Sequence, residues 1–357
     1  MISLNQWLNL FDKKTVKYET FLKKGIVRST RDVKLKDVER ENKDVRNLYE
    51  IYVNRFVFLE KFYKNNLDPN VDFDFSGLKL EINNSKYPRF KRLSRNLFYK
   101  EILKDTGTSQ GNLQTFLNVL LNFFNHLIID YKLLTPSVLS LLEKGLFSSV
   151  MSGVYFKASL FNPFLCYSAY QKYGGGSVVF SPTLGWGTYM LGICQAEEVK
   201  EYIGVDVIPK VCSEVEKIGK KMFPEKKIKI YCQGSETLKL KKDFVDFIFF
   251  SPPYYQLEIY PGKEQSVKKF NTYEKWLDGY WRKTIKLCFE VLKKNGTMIY
   301  IISNYQEKGS ILNLEKDMVK ITKEFFSLKK KVYLKSADVG FTSHREYRET
   351  LFVFTKI

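Results

Sequence analysis

The sequence contains few histidines and few cysteines. The 357 residues include two histidines and five cysteines, and no two cysteines have C-x-x-C spacing. Structural zinc sites are built from these side chains, so the sequence predicts no metal centre. The cysteines are expected to be reduced, mostly buried thiols. This favours a reducing compartment, cytoplasmic or nucleoid-associated, and is equally compatible with a viral origin.

A leader and a long apolar run are also missing from the sequence. Met1–Leu8 contains no basic stretch followed by an apolar core. The most apolar stretch of the chain is interrupted by Asn118, Asn122 and Asn125. We therefore expect a soluble protein without a membrane partner. Nothing in the sequence indicates an oligomeric state.

Acidic residues are outnumbered by basic ones. There are 39 Asp and Glu against 58 Lys and Arg, which gives a formal net charge of +19. Such a field attracts polyanions and raises their encounter rate. Nucleic acid is therefore the first expected partner, although a compositional bias toward lysine would produce the same excess.

Two different rhythms divide the chain. At about 150 residues per domain, the length predicts two domains. In residues 1–150 apolar side chains recur at helical intervals, notably over 48–62 and 113–128, and Thr135-Pro136 resembles a helix start. In residues 151–357 short β-branched and aromatic runs alternate with amphipathic segments, which is typical of an α/β domain with a mostly parallel sheet. We expect a helical, basic domain followed by an α/β domain.

The order of elements in the α/β part can be predicted from these runs. Strands are predicted over 177–181, 201–206, 227–231, 245–250, 297–302, 328–335 and 350–354. Helices are predicted over 188–195, 209–222 and 273–293.

A glycine turn follows the first predicted strand. Ser181, Pro182 and Thr183 lead from the strand into Gly185 and Gly187, where a helix begins. Glycines let the backbone approach a ligand closely, and a helix N-terminus presents unpaired N–H groups. Glycines also merely end many strands, so the turn alone does not identify a ligand.

A carboxylate at the end of the next strand makes the glycine turn more specific. Asp206 lies 19 residues after Gly187, where it can accept both ribose hydroxyl hydrogens of an adenosine. Ser235 and Glu236 end the third strand on the same edge of the sheet and are expected to border the adenine ring. The pattern favours a cofactor that contains adenosine.

The tetrapeptide Ser251-Pro252-Pro253-Tyr254 follows the buried run 245–250. Open α/β sheets bind ligands at this end of a central strand. Consecutive prolines fix the direction of the backbone carbonyls, so the Ser251 hydroxyl and the Pro252 carbonyl can accept hydrogen bonds from an exocyclic amine. Tyr254 offers a ring on which a base can stack. A base within a duplex would have to be flipped out to reach such a pocket.

These residues resemble those of the S-adenosylmethionine-dependent amino methyltransferases of DNA, which act on cytosine N4 or adenine N6. In that family Asp, Asn or Ser before Pro-Pro-aromatic is the catalytic signature, matching Ser251–Tyr254. The glycine motif resembles Ser181–Gly187, and the ribose acid matches Asp206. Phe161, Asn162 and Pro163 resemble the element that holds the methionine end of the cofactor. The resemblance covers about residues 155–357.

The resemblance implies a Rossmann-like methyltransferase fold with an antiparallel C-terminal strand. It also implies S-adenosylmethionine as the cofactor, with Ser251 bordering it, and base flipping with DNA methylation as the activity. Serine at the first catalytic position favours cytosine N4. The alternatives are adenine N6 of DNA, an RNA substrate, or a noncatalytic nucleic-acid-binding relative. Ser181 stands where the family usually has Asp or Asn, which bears on the contact to the cofactor ammonium.

Target recognition is expected outside the short stretch between the two motifs. In Lys86–Arg95 positive charges alternate with aromatic rings, which is typical of a nucleic-acid surface, although a solvated basic helix has the same pattern. A second set follows the tetrapeptide and is expected to hold phosphate beside the flipped base. The predicted nucleic-acid-binding residues are Arg89, Lys91, Arg92, Arg95, Tyr255, Lys263, Lys268 and Lys269.

Overall fold

The computed structural model describes residues 61–62, 64–67, 73–98, 100–108, 155, 157–307, 310–334 and 349–356. The chain divides into two compact units, one formed by 1–61 and 99–158 and the other by 62–98 and 159–357. In the first unit the described part includes a π-helix over Glu101–Asp105. The predicted helices over 113–128 and from Thr135, and most of the predicted helix over 48–62, lie outside the described residues.

A seven-stranded sheet organises the second unit. Its strands are β1 Val178–Ser181, β2 Glu201–Asp206, β3 Lys227–Cys232, β4 Val245–Phe250, β5 Leu292–Ile302, β8 Phe326–Tyr333 and β9 Thr350–Lys356. A separate hairpin pairs β6 Tyr305–Glu307 with β7 Ser310–Leu312.

The strands of the sheet follow the order β3-β2-β1-β4-β5-β9-β8. The first five strands in this order pair in parallel, whereas β9 runs antiparallel to both of its neighbours. This confirms the predicted mostly parallel sheet with an antiparallel C-terminal strand.

Helices connect the strands. In the helix over Pro209–Met222 the proline occupies the first turn, where no backbone N–H is needed, and Val211, Val215, Ile218 and Met222 form the buried face. The α-helices with defined bounds in the described part of this unit are α1 Pro88–Leu97, α2 Pro163–Tyr173, α3 Thr188–Ile193, α4 Pro209–Met222, α5 Ser266–Lys269, α6 Tyr273–Trp276, α7 Lys283–Val291 and α8 Leu314–Thr322.

The long helix predicted over 273–293 is broken by a π-helix over Leu277–Arg282, between α6 and α7. Helix α7 ends at Val291, because the next residue, Leu292, is the first residue of β5 and pairs with Val245. The fifth strand therefore begins five residues before the predicted Thr297.

The segment that carries α1 belongs to the α/β unit. The buried Asn162 side chain caps α2 by accepting from the Phe164 amide, and it donates to the Lys86 and Tyr87 carbonyls. The Asn84 side chain in turn accepts from the Asn162 amide at 2.9 Å. Among the described residues, the two compact units are therefore not separated by a single boundary at residue 150. For the other residues, the helical domain over 1–150 stays a prediction.

The described ranges contain neither a membrane-spanning helix nor a metal-binding cluster. None of the helices there is long and apolar enough to cross a membrane. Within the same ranges, no three His, Cys, Asp or Glu side chains come together as a group able to hold a metal ion.

Candidate active site

A pocket opens where strands β1 to β4 of the sheet end. Its wall is formed largely by residues that directly follow these strands, and it contains about 970 Å³ of space, part of it open to solvent. The chain passes from β1 to β2 and β3 on one side and returns to β4 on the other, so the pocket lies at the topological switch point of the sheet.

The glycine turn is a run of three left-handed residues. Gly185, Trp186 and Gly187 have φ of 51°, 60° and 77°. A Cβ on Gly185 would lie 2.2 Å from the Tyr189 ring, so this position requires glycine both for φ and for space. Trp186 adopts the same region with a full side chain, and a non-glycine residue pays about 1–2 kcal/mol for that. Backbone strain of this kind concentrates at functional sites.

The Asp206 carboxylate ends β2 on the pocket wall. Its Oδ1 accepts from the Val207 and Ile208 amides at 2.8 and 3.0 Å. Burial raises the pKa of this carboxyl to about 6, and the hydrogen bonds from backbone amides offset part of the increase. A carboxylate has about four acceptor positions, and those that remain at Asp206 suit the two ribose hydroxyl hydrogens of an adenosine.

Another part of the pocket wall is formed by Ser235, Glu236 and Tyr280. The Ser235 hydroxyl is 2.9 Å from that of Thr284, and the Glu236 carboxylate pairs with Lys269 at 3.4 Å. The Tyr280 hydroxyl is buried near Ser235 without a well-aligned hydrogen-bond partner among the described residues. An unsatisfied buried hydroxyl on a pocket wall fits a ligand with polar ring edges, such as adenine.

The tetrapeptide Ser251–Tyr254 is held from three sides. The Ser251 amide donates to the Tyr189 hydroxyl at 3.1 Å, and the Thr183 hydroxyl donates to the Ser251 carbonyl at 2.9 Å. The Ser251 hydroxyl donates to the Ile301 carbonyl of β5 at 2.8 Å. Because a hydroxyl has one hydrogen, Ser251 Oγ keeps only lone pairs for the pocket.

The Tyr254 ring lines the pocket, and its hydroxyl lies 3.4 Å from both Ser251 Oγ and the Ile301 carbonyl. Burial, together with the charge of Glu349, raises the pKa of this phenol well above its usual value, so it stays neutral. Tyr255 then turns the chain with φ of 50°, and its buried ring contacts Tyr273 and Trp276 instead of the pocket.

The loop after the tetrapeptide forms the remaining wall through Glu258, Tyr260 and Gln265. The Tyr260 ring packs edge-on against Trp186 of the glycine turn, with centroids 5.8 Å apart. The Gln265 side chain holds the loop by accepting from the Tyr260 amide and donating to the Pro261 carbonyl.

Most of the residues that are predicted to bind the cofactor and the base line this pocket. The pocket is lined by Phe161, Pro182, Thr183, Gly185, Asp206, Ser235, Glu236, Ser251, Pro252, Pro253 and Tyr254. Asn162, Pro163, Ser181 and Gly187 do not line it. Asn162 and Pro163 start α2, Gly187 ends the turn, and the buried Ser181 hydroxyl donates to the Phe249 carbonyl at 2.7 Å.

The predicted nucleic-acid-binding residues differ in their exposure and in their ion pairs. Arg89 and Arg92 of α1 are exposed, whereas Arg95 is buried and Lys91 is partly buried near Glu349. In the loop, Lys263 and Lys268 are exposed, but Lys269 is ion-paired with Glu236 and Glu264.

Several wall residues had no sequence signal. Tyr189, Glu258, Tyr260, Gln265 and Tyr280 reach the pocket from a short helix, a loop and a π-helix. Their chemistry depends on partners distant in sequence, such as the Ser251 amide for Tyr189. The position of Tyr189 two residues into the helix after the turn was the one available hint.

The family model described as DNA methylase, N6_N4_Mtase, matches residues 245–356. The match begins at the first residue of β4 and therefore includes Ser251–Tyr254. The predicted resemblance to the amino-group DNA methyltransferases is confirmed over this stretch, and with it S-adenosylmethionine as the cofactor and methyl transfer as the class of reaction. No curated protein matches the chain.

Solved structures resemble the chain over about half of its length. TrmN from Thermus thermophilus is 14% identical with a TM-score of 0.39, over 55% of this chain and 49% of its own. A SAM-dependent methyltransferase from Methanosarcina mazei is 11% identical with a TM-score of 0.36, over 51% and 93%. A geranyl diphosphate methyltransferase is 9% identical with a TM-score of 0.40, over 55% and 76%. Similarity at this level gives no information about the substrate.

Proposed function

We propose that this protein transfers a methyl group from S-adenosylmethionine to the exocyclic amino group of a flipped DNA base, with cytosine N4 favoured. The observation that supports this most directly is the direction of the Ser251 hydroxyl. Its hydrogen is used by the Ile301 carbonyl at 2.8 Å. The oxygen therefore meets the pocket as an acceptor, which is what an N–H of an amine requires.

The amino nitrogen itself is the nucleophile in this reaction. Its lone pair is delocalised into the base ring, and acceptors at Ser251 Oγ and the Pro252 carbonyl favour a geometry in which that pair is directed at the methyl group. Alignment and electrostatics supply the catalysis. The nitrogen becomes cationic as it gains the methyl group, and the acidic proton that it then loses can pass to water, so no strong base is needed. The neutral Tyr254 ring holds the base by stacking.

The cofactor supplies an electrophilic methyl group on a sulfonium. Asp206, Ser235 and Tyr280 suit its adenosine, and the close backbone at Gly185 leaves room for it beside the tetrapeptide. The Thr183 hydroxyl links the glycine turn to the Ser251 carbonyl at 2.9 Å. This bond fixes the position of the glycine turn, on the cofactor side, relative to the tetrapeptide that faces the amine.

Cytosine N4 is favoured by the serine at the first catalytic position, through the resemblance stated above. Adenine N6 and an RNA substrate are the alternatives, because both present the same amine. The exposed Arg89, Arg92, Lys263 and Lys268 support a polyanionic substrate. We further propose that residues 1–150, which include α1, recognise the target.

The test is methylation of defined DNA and RNA with isotopically labelled S-adenosylmethionine, followed by mass spectrometry of the released nucleosides. We expect N4-methylcytosine in DNA from the parent and none from Ser251→Ala, whose cofactor affinity should be unchanged. Thr183→Ser, which keeps the hydroxyl to Ser251, is the matched control and should retain activity. A parent that binds the cofactor and DNA without forming any methylated base would instead favour the noncatalytic alternative.

A further inference from the structure

A buried carboxylate lies on the pocket wall four residues after Tyr254. Glu258 is 6% exposed and lines the same pocket as Ser251 and Phe161. Its Oε1 accepts from the Ser159 amide at 2.7 Å, and its Oε2 accepts from the Tyr260 hydroxyl. These bonds fix the carboxylate between the loop wall and the segment that begins at Ser159.

Glu258 is held by a different segment of the chain from the residues suited to the adenosine. The residues suited to ribose and adenine, Asp206 and Ser235, follow β2 and β3. Glu258 is tied instead to Ser159, two residues before Phe161, in the segment expected to hold the methionine end. Its charge also contributes to raising the pKa of Tyr254 and of Tyr260.

The methionine end of the cofactor carries an ammonium group, and a cation taken out of water needs an anionic or strongly accepting partner. Ser181 does not provide one, because its side chain is fully buried, lies off the pocket wall and donates to the Phe249 carbonyl. We propose that Glu258 is the anionic partner of the cofactor ammonium. This proposal rests on the proposed function, since it presumes that S-adenosylmethionine occupies the pocket.

Three ligands distinguish the ammonium from the other parts of the cofactor. S-adenosylmethionine carries both the sulfonium and the ammonium, and S-adenosylhomocysteine keeps the ammonium without the sulfonium. Methylthioadenosine keeps the adenosine and lacks the whole amino-acid end. Removing a hydrogen bond to a charged group lowers affinity on the order of tenfold to a hundredfold.

The experiment is isothermal titration calorimetry of the full chain with each of the three ligands, comparing the parent with Glu258→Gln. Glutamine keeps the size and an acceptor but removes the charge. We expect the variant to lose about tenfold to a hundredfold affinity for S-adenosylmethionine and for S-adenosylhomocysteine, and less than about twofold for methylthioadenosine. Glu216→Gln, which removes an exposed carboxylate of α4 paired with Lys220, should change none of the three.

Each other outcome contradicts the proposal in a different way. A loss for S-adenosylmethionine alone would assign Glu258 to the sulfonium, and an equal loss for all three ligands would make it a structural support of the wall. No loss for any ligand would leave the carboxylate to the base or to no ligand. A parent that binds none of the three would overturn the proposed function itself.

Discussion

In the proposed reaction, Ser251 contacts the acceptor base through its hydroxyl and Tyr254 through its ring. The hydroxyl of Ser251 is directed at Ile301, which leaves its lone pairs for an amine. The Tyr254 ring lines the pocket, while its hydroxyl sits at the long distance of 3.4 Å from both of its contacts. The ring should therefore matter more than the phenol oxygen.

Tyr254→Ala should lower kcat by about tenfold to a hundredfold, because stacking on an aromatic ring stabilises a base by about 1–3 kcal/mol. Tyr254→Phe keeps the ring and should stay within a few-fold of the parent. Steady-state kinetics on an oligonucleotide, together with cofactor titration, measure both. The affinity for the cofactor should be the same in all three proteins. Our account of the site would be wrong if the alanine variant turned over as fast as the parent.

Asp206 gives the pocket a dependence on pH. Burial raises its pKa from 3.8 to about 6. Between these two values the folded protein binds a proton that the unfolded chain does not, so the free energy of unfolding falls as the pH rises through this window and is level above it. In the proposed ribose site, the charged form is nevertheless the one that would accept the ribose hydroxyl hydrogens.

Asp206→Asn should therefore melt at a higher temperature than the parent at a pH above about 7 without ligand, yet bind the cofactor more weakly. In the parent, cofactor affinity should increase as the pH rises through about 6, and in the variant it should be flat. Thermal melts and calorimetry from about pH 5 to about pH 8 provide the measurement. Equal pH profiles for the two proteins would remove Asp206 from the ribose site.

At the scale of elements, the glycine turn and α3 act as one support for both motifs. Gly185 lets the turn pass against the Tyr189 ring, and the Tyr189 hydroxyl accepts from the Ser251 amide at 3.1 Å. A displaced Tyr189 would therefore disturb the catalytic tetrapeptide as well as the cofactor side.

Gly185→Ala should abolish detectable cofactor binding, since its Cβ would meet the Tyr189 ring at 2.2 Å. Gly77→Ala is the matched control, because Gly77 has φ of 69° and a Cβ there would have no atom of the described residues within 4 Å. Both variants pay about 1–2 kcal/mol for a side chain in the left-handed region, which thermal melting reports. Normal cofactor binding by Gly185→Ala would show that the turn tolerates a shift of Tyr189.

Elements with an unambiguous pattern could be predicted to the residue. β2, β4 and α4 begin and end where the sequence places them, because each combines a continuous apolar run or helical spacing with a polar residue or proline at its end. The π-helix 277–282 and the early start of β5 could not be predicted from the sequence. The backbone pairing of Leu292 with Val245 decides where α7 ends and β5 begins.

The site was predictable where a motif is continuous in sequence. Ser251–Tyr254 and Asp206 were recognisable because a strand end and a short motif coincide. Ser181 and Lys269 illustrate the limit. Their side chains are engaged by the Phe249 carbonyl and by Glu236, partners that only the folded chain brings near.

At the scale of the whole molecule, the formal charge of +19 predicts attraction to nucleic acid but not the place of contact. The structure separates the basic residues of α1 into two exposed arginines, Arg89 and Arg92, and two inward groups, Lys91 and Arg95. Burial lowers the pKa of Lys91, and the Glu349 carboxylate offsets part of that. The two pairs should therefore differ in function.

Replacing Arg89 and Arg92 together by alanine should weaken DNA binding and reduce the slope of log K against log salt by up to about 2, because each neutralised phosphate contributes about 0.9. The Lys91→Ala, Arg95→Ala pair should lower thermal stability with an unchanged slope. Fluorescence anisotropy at several salt concentrations measures the slopes. An unchanged slope in the first pair would place the DNA surface elsewhere.

The hydrogen bond from Thr183 to the Ser251 carbonyl joins the place where the methyl donor is expected to the place where the base is expected. The affinities of two ligands that bind on either side of this bond are linked, whether or not the protein changes conformation. In the proposed reaction, whatever factor the cofactor adds to the affinity for DNA, DNA must add to the affinity for the cofactor. The same rule would apply to the two products, the demethylated cofactor and the modified base.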